Sequence, residues 1–431
     1  MGGFGNIARA LLLPLGMATF DFVMDKPAEQ RLSDYFDTLG AVLELPSRRA
    51  SFAIYAMGIL GDGERKSVEP IAARACPDLK GVDALHQRLL HFVVNSRWDD
   101  HSLRKAAASY ALKAMTAREP ITAWIVDDTG WLKQGKESVG VQRQYTGSAG
   151  KITNCQIGVS LSVATPTEHL PIDFELYLPK NWADDPTRRA AAQIPDLVDF
   201  KTKPELALQM IKRAEQDDVP PAILLGDSAY GTSHVFRREV RAMGLHYGVG
   251  VDPQTTVWVV SAKGKSAPEA ISVKELALQI QKENGFRRTT WREGTKGPMS
   301  AFFAMRRVVP AFDDNKEPIG EREALTLLIE WREGEDEPAN YFLISQPVRT
   351  RVEAVRLVMQ RWRTERAYQD LKGELGLDHY EGRRWPGWHH HVSVVLSCYA
   401  FLIAERVRRF PPSAKLYKEA SPQRDETRAT L

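Results

Sequence analysis

The spacing of apolar residues changes once along this chain, near Ile121, and this change constrains the fold more than any other feature. From residue 25 to residue 119, apolar residues recur at the interval of a helix. Short helices are predicted over residues 32–45, 51–60, 82–95 and 99–115, with another beginning at Ser67. After the change, residues 155–163 alternate strictly between polar and apolar types, which predicts a β-strand. An all-helical N-terminal domain is therefore expected to precede a domain that contains a sheet.

The order of elements after residue 120 indicates an α/β fold. Strands are predicted at residues 121–126, 155–163, 170–178, 222–225 and 245–251, with helical patterns at 184–216 and 234–243. Three strands followed by a helix, a strand, a helix and a strand favour a mixed sheet with flanking helices. The predicted sheet domain comprises residues 120–251 and 348–409.

A second run of strands interrupts that domain. Residues 252–347 are β-rich, with strand patterns at 256–260, 300–309, 325–331 and 341–345. This segment is predicted to form a β-rich insertion domain. The C-terminal residues 410–431 are rich in proline, serine and charge, and are expected to be disordered.

A long amphipathic helix is predicted over residues 352–380, ahead of an apolar helix at 391–407. Its apolar stripe consists of Val352, Val355, Met359 and Trp362. A second face beside that stripe carries Val358, Arg361, Glu365, Tyr368 and Lys372. Gly373 and Gly376 are expected to end the helix. Taken alone, these charged residues have a simpler interpretation as a solvated helix surface with a few ion pairs.

Composition and charge restrict the classes of protein to which this chain can belong. The apolar fraction of 43% and the charged fraction of 26% are ordinary for a globular protein. The net charge is only +3, but basic residues outnumber acidic ones beyond residue 341, which suggests a polyanionic partner. Cys76, Cys155 and Cys398 have no metal-type spacing and favour a reducing compartment, so a cytoplasmic location is expected. The apolar residues 8–14 lack the basic start of a signal peptide, and no other run reaches membrane-spanning length.

Three acidic residues stand where an acid is costly unless positive charge compensates it. Asp127 and Asp227 each follow a predicted buried strand, and Glu365 lies on a helix face beside the core. Converging carboxylates repel one another unless divalent cations lie between them. Mg²⁺ accepts such ligands, and two ions can activate a water or a 3′-hydroxyl and stabilise the departing oxygen of a phosphodiester. Either aspartate alone has a simpler interpretation as a turn-forming residue after a strand.

The same helix carries a resemblance to a known family. Arg361, Glu365 and Lys372 fit the spacing of the signature Tyr-x2-Arg-x3-Glu-x6-Lys. The chain thereby resembles the DDE transposases of bacterial insertion sequences, in the branch that this signature marks. Val358 stands at the tyrosine position of the signature, whereas Tyr368 lies on the same face as the glutamate.

The resemblance also selects two aspartates. In this branch the first acid stands at a strand end as Asp-x-Ser/Thr, which selects Asp127, with Thr129 two positions on and Asp128 as the reserve candidate. The second acid corresponds to Asp227 in the run Gly-Asp-Ser-Ala-Tyr-Gly. Asp127, Asp227 and Glu365 are accordingly predicted to be the catalytic residues and the metal ligands.

The resemblance implies a fold, an activity and partners. It implies a ribonuclease-H-like core that cleaves and joins DNA strands at the ends of an insertion sequence. It also implies two Mg²⁺ ions, for which Mn²⁺ can substitute, a homodimer bound to element-end and target DNA, and action at the bacterial nucleoid. Contacts with DNA phosphates are predicted for Arg361, Lys372, Arg143 and Lys151. The helices of residues 25–119 are expected to bind the element ends.

Other interpretations stay open on the sequence alone. The chain could be a non-catalytic DNA-binding protein derived from a transposase, or another ribonuclease-H-like nuclease. A carboxylate-pair hydrolase acting on sugars would leave Arg361 and Lys372 without a role. Consecutive histidines point in different directions on a regular element, so residues 389–391 favour a structural or DNA-contacting role over zinc. Candidates for holding a flipped base are Trp258, Trp291 and Trp331, although an aromatic residue in a strand is more often core.

Overall fold

The structure is a computed structural model that describes residues 26–409 apart from 77–78, 261–268, 295–296 and 320–322. The C-terminal residues 410–431, predicted to be disordered, lie outside the described residues. The chain begins with helices α1 (Lys26–Val42), α2 (Pro46–Leu60), α3 (Val68–Ala75), α4 (Leu79–Leu90) and α5 (Asp100–Thr116). A π-helical turn at His91–Asn95 continues α4. These helices follow the predicted N-terminal pattern closely.

The centre of the fold is one mixed sheet. Its first members are β1 (Ala123–Leu132), β2 (Gln142–Thr146), β3 (Lys151–Ala164) and β4 (His169–Leu176). Helices α6 (Lys180–Ala183), α7 (Pro186–Ala192) and α8 (Lys203–Gln216) lead to β5 (Ile223–Gly226), α9 (Ser228–Gly231), α10 (His234–Ala242) and β6 (Tyr247–Gly250). β1 pairs antiparallel with β3 but parallel with β5, which pairs parallel with β6. The predicted α/β class with a mixed sheet is confirmed.

The sheet continues into the predicted insertion. This segment contains β7 (Thr256–Val259), β8 (Ile271–Ser272), α11 (Val273–Lys282), β9 (Arg287–Gly294), β10 (Gly297–Pro310), β11 (Leu325–Trp331) and β12 (Asn340–Ile344). In the described part of the chain the strand order is β2-β3-β1-β5-β6-β12-β11-β10-β7-β8, with β4 on β3 and β9 on β10. Because β12 pairs with β6, no break in the sheet marks residue 252 or 347, and the division into domains stays a prediction.

Helix α11 was not predicted within this segment. Its signal is a capping box, in which the Ser272 side chain accepts from the backbone of Glu275 and the Glu275 carboxylate reaches back. Apolar residues such as Val273, Leu276 and Ile280 then follow at helical spacing and are buried. The strand composition on both sides obscured a local helix signal that was present.

The predicted helix over residues 352–380 is divided. α12 (Arg351–Val358) is followed by a 3-10 turn at Met359–Arg361 and then by α13 (Trp362–Gly373). The tighter turn changes the phase of the side chains, so a single stripe does not hold along the whole length. Val355 is fully buried, as predicted, but Val352 is 37% exposed, so its place in a buried stripe is wrong. The helix ends at Gly373, in agreement with the sequence.

A long C-terminal helix, α14 (Trp385–Arg409), joins the N-terminal helices to the sheet. It begins six residues before the predicted start at His391 and is buried along most of its length. It packs against α5 and β4. The hydroxyl of Tyr35 donates to the backbone oxygen of Ser397 at 2.7 Å, and Arg31 forms an ion pair with Glu405 at 2.6 Å. Helices α1–α5 and the sheet therefore share one core through α14.

The three consecutive histidines at the start of α14 contact three different parts of the chain. His389 lies 3.5 Å from the Glu175 carboxylate of β4. His390 stacks on Trp98 with a centroid distance of 3.8 Å. The Nδ1 atom of His391 lies 2.8 Å from the Tyr55 hydroxyl, and burial lowers the pKa of this histidine to about 4. Each ring thus holds a neighbouring element against α14.

Every helix in the described residues is too short or too polar to cross a membrane.

Candidate active site

Asp127 and Asp227 lie at the same level on neighbouring parallel strands. The pairing of β1 with β5 ends at Ile125 opposite Leu225, so each aspartate stands two residues beyond the last pair. Asp227 then caps α9, with its side chain accepting from the backbone nitrogen of Ala229 at 2.9 Å. Since adjacent strands are about 4.8 Å apart, the shared offset brings the two carboxylates near one another.

The prediction that Asp127 ends its strand is wrong, because β1 continues to Leu132. The long strand β3 still pairs with β1 beyond the end of β5, and Asp127 lies opposite Ser160. The backbone hydrogen bonds of β3 therefore keep β1 extended through the acidic residues. Asp227, in contrast, does follow the end of β5, as predicted.

Asp127 is a buried acid whose negative charge is only partly compensated by its neighbours. Its side chain is 10% exposed, and one carboxylate oxygen accepts from the Arg361 guanidinium at 3.0 Å. The other accepts from the backbone nitrogen of Asp128 at 2.8 Å. Burial raises the pKa of Asp127 to about 7; the charges of Asp227 and Asp128 add to the rise, and Arg361 opposes it. The charge of Arg361 thus does not fully offset the cost of burying the ionised carboxylate.

Asp128, the reserve candidate, has its own cation. Its carboxylate lies 2.9 Å from the ammonium group of Lys203 on α8. Burial raises its pKa, while the Lys203 charge lowers it and Asp227 raises it again. Adjacent residues of a strand point to opposite faces, so Asp127 and Asp128 have different partners. Both aspartates are paired with a cation, and Asp128 stays the reserve candidate.

Arg361 is the common neighbour of all three predicted acids. Burial would lower the pKa of its guanidinium, but the charges of Asp127, Asp227 and Glu365 raise it. Glu365 lies one helical turn after Arg361 and is exposed to solvent. Arg361 therefore lies within electrostatic reach of three acids that are far apart in the sequence. In the described residues no three acidic, histidine or cysteine side chains form a ready-made metal cluster, and the positive charge among the acids is that of Arg361.

Helix α13 lies against β1 through Tyr368 and Lys372. The hydroxyl oxygen of Tyr368 is 2.6 Å from that of Ser160, the cross-strand neighbour of Asp127. The Lys372 ammonium group donates to the backbone oxygen of Gly130 at 2.6 Å and to the Ser148 hydroxyl at 3.1 Å. Lys372 thus lies three residues along β1 from Asp127.

The position of the signature tyrosine has an apolar role here. Val358 is 3% exposed and packs in a cluster with Phe303 and Phe342, away from the acids. Tyr368 instead places a buried hydroxyl beside Asp127, whose charge helps to raise the tyrosine pKa after burial has done so. The sequence contained this signal, because Tyr368 follows Glu365 by three residues on the same face.

The remaining predicted residues divide into exposed cations and packed tryptophans. Arg143 and Lys151 are both exposed on the hairpin formed by β2 and β3. Trp331 is buried and donates to the backbone oxygen of Glu335, whereas Trp291 is half-buried against Phe303. Trp258 is also half-buried. The tryptophans therefore lie mostly within the packing of the sheet.

Comparison with known proteins places this site in a family. A family model described as DDE superfamily endonuclease matches residues 38–298, more than half of the chain. The chain therefore belongs to the DDE superfamily of endonucleases, and this confirms the predicted family and the ribonuclease-H-like class of fold. The matched region contains Asp127 and Asp227 but ends before Glu365.

One curated relative has a name that states a function. The chain is 31% identical over 183 residues to a protein of Microchaete diplosiphon named "Probable transposase for insertion sequence element IS701". The alignment covers 42% of this chain and 43% of the relative, so the chain matches less than half the length of that protein.

Proposed function

We propose that this protein is a transposase that cleaves and joins DNA strands at the ends of an insertion sequence. The observation that carries the proposal is Arg361, which is paired with Asp127 and lies within electrostatic reach of Asp227 and Glu365. A buried acid with a pKa raised to about 7 beside a second carboxylate is a site that a cation would stabilise. Family membership and the name of the relative support the same activity.

The donor atoms of this site fit Mg²⁺. Carboxylate oxygens are the ligands this ion prefers, and it retains water molecules and phosphate oxygens beside them. Asp127, Asp227 and Glu365 would hold two such ions, for which Mn²⁺ can substitute. When bound, the ions supply activation of the attacking oxygen and stabilisation of the departing one.

The protein's own residues would position the substrate and the ligands. Arg361 holds one oxygen of Asp127 in place. When DNA binds, the same guanidinium would contact a phosphate of the strand held at the acids. Tyr368 fixes α13 against β3 and so sets the height of Glu365 above β1. Lys372 adds a second cation, which is bound to the backbone oxygen of Gly130 on β1. These cations offset the charge of the DNA backbone.

We place the activity in the bacterial cytoplasm, on the nucleoid, with a homodimer bound to element-end DNA and to target DNA. Helices α1–α5 would recognise the element end. Because they pack on α14, these helices are best tested within the whole chain, by footprinting on element-end DNA. A search for inverted repeats in the DNA that flanks the reading frame would define that DNA.

The experiment is a strand-cleavage assay on labelled element-end DNA. Cleavage is expected with Mg²⁺ or Mn²⁺, and EDTA should abolish it reversibly. Asp127→Ala, Asp227→Ala and Glu365→Ala should each abolish cleavage and leave DNA binding intact, since phosphate contacts by cations dominate affinity. Glu374→Ala changes an exposed glutamate at the end of α13 and is the matched control.

Two results would redirect the assignment. Cleavage that persists in Asp127→Ala but is lost in Asp128→Ala would make Asp128 the ligand. DNA binding without any metal-dependent nick would favour the alternative, a non-catalytic DNA-binding protein derived from a transposase.

A further inference from the structure

The β2–β3 hairpin is fixed to the catalytic strand beside Asp127. A Cβ atom at Gly130 would lie 2.2 Å from the Thr146 hydroxyl, so the hairpin can pack here only because Gly130 has no side chain. In the turn of the hairpin, the Ser148 hydroxyl lies 3.1 Å from that of Thr129 and accepts from the backbone nitrogen of Gly130 at 3.3 Å. The end of the hairpin is therefore held two to three residues along β1 from Asp127.

The outer face of this hairpin carries an uncovered apolar pair. Tyr145 pairs with Ile152 across the two strands, and their side chains are 62% and 61% exposed. Directly opposed side chains of a pair lie on one face of a sheet and touch. In the described residues the only other aromatic side chain among the exposed large apolar ones is Phe312, at 40%. An exposed pair of one aromatic and one aliphatic side chain on a fixed hairpin indicates a binding surface.

Basic side chains lie near this apolar pair. Arg143 lies two residues before Tyr145, so it projects from the same face, and its side chain is exposed. Lys151 is exposed at the start of β3 and pairs with Thr146, so it projects from the opposite face of the hairpin. Lys372 meets the hairpin turn through Ser148. The ligand that fits is a polyanion with flat apolar faces, which is a nucleic acid strand with an unpaired base.

We propose that Tyr145 stacks on an unpaired DNA base next to the cleaved phosphate, with Ile152 beside it and Arg143 on a flanking phosphate. This inference rests on the proposed function, because it takes the strand to be the one held at Asp127. It assigns base stacking to the hairpin rather than to the tryptophans of the sheet. The hairpin thereby keeps the strand end open while the acids act on its phosphate.

The test measures binding in EDTA, so that no cleavage is needed. The probe is a duplex oligonucleotide with a short single-stranded 3′ overhang that carries 2-aminopurine at the junction. Full-length wild type and Tyr145→Phe should change the 2-aminopurine emission at saturation. Tyr145→Ala should lose this change and bind the overhang duplex about tenfold more weakly, which is the contribution of one base–aromatic stack. Affinity for a blunt duplex should be equal in all three proteins.

Phe312→Ala is the matched control, since it removes the other exposed aromatic side chain and should behave as wild type. Thermal melting of each variant checks the fold, which removal of an exposed side chain should leave intact. The proposal is overturned if Tyr145→Ala keeps the emission change, or if it weakens blunt and overhang duplexes equally. It is also overturned if Tyr145→Ala leaves DNA binding unchanged but dissociates a dimer in sedimentation, because the face would then contact a second copy.

Failure of this inference differs from failure of the proposed function. A protein that shows the Tyr145-dependent emission change but never cleaves element-end DNA retains the stacking site and loses the transposase assignment. A wild-type protein that cleaves element-end DNA but shows no emission change that depends on Tyr145 retains the activity and loses the stacking site.

Discussion

Replacing Asp127 by asparagine should stabilise the metal-free protein at neutral and alkaline pH. The carboxyl is buried, and its pKa lies at about 7 in the folded chain against an ordinary value of 3.8. That difference corresponds to about 4 kcal/mol against folding when the group is ionised. Asparagine keeps the shape and can still accept the hydrogen bond from the backbone of Asp128. The expected gain is about 2 to 4 kcal/mol, because the amide must also be buried.

The pH dependence gives the sign of this effect. At a pH below 3.8 the carboxyl is protonated in both states, so it has no cost to folding. Between pH 3.8 and about 7 the unfolded chain has released this proton and the folded chain keeps it, so wild-type stability falls across that range and levels off above it. The advantage of Asp127→Asn should therefore be largest at pH 8 and clearly smaller at pH 5.

Urea unfolding in EDTA, followed by tryptophan fluorescence at the two pH values, measures this difference. Asp196→Asn, at an exposed aspartate, is the control and should match wild type at both. Added Mg²⁺ should raise the unfolding midpoint of wild type but have little effect on Asp127→Asn. Equal stability of wild type and Asp127→Asn in EDTA at pH 8, or an advantage independent of pH, would refute the electrostatic account of this site.

Three further changes test contacts around the site. Gly130→Ala should lower the free energy of unfolding by about 1–3 kcal/mol in urea titration, because the new methyl group overlaps Thr146; an unchanged midpoint would show that the hairpin shifts freely. Tyr55→Phe should cost about 1–3 kcal/mol in the same measurement, since it leaves a buried nitrogen of His391 without its partner. Lys372→Ala should slow single-turnover cleavage at saturating protein by roughly ten- to a hundredfold, and a wild-type rate there would reduce Lys372 to a general backbone contact.

The parts of the fold predictable from sequence are those fixed by local pattern. Strict alternation placed β3, and the apolar run before Asp227 placed β5. The extension of β1 beyond Asp127 could not be predicted, because it depends on pairing with a strand that lies about 30 residues further along the chain. The 3-10 turn at Met359–Arg361 has no proline or glycine to announce it.

The candidate site shows the same division. Spacing alone put Arg361, Glu365 and Lys372 on one helix, but the meeting of Arg361 with Asp127 is a contact across 234 positions of sequence. The sequence pattern does not single out Tyr145. Its exposure and its pairing with Ile152 became evident only from the register of the hairpin.

The position of α14 has a consequence for how the protein is made. Helices α1–α5 leave the ribosome first, yet the surface that buries Tyr35 and Tyr55 belongs to a helix that begins at Trp385. Until those late residues emerge, the apolar faces that α14 covers stay open to chaperones and proteases. A chain cut short before α14 would then be a target for degradation rather than a competitor for DNA. Translation to the end would act as a checkpoint before the protein can engage a genome.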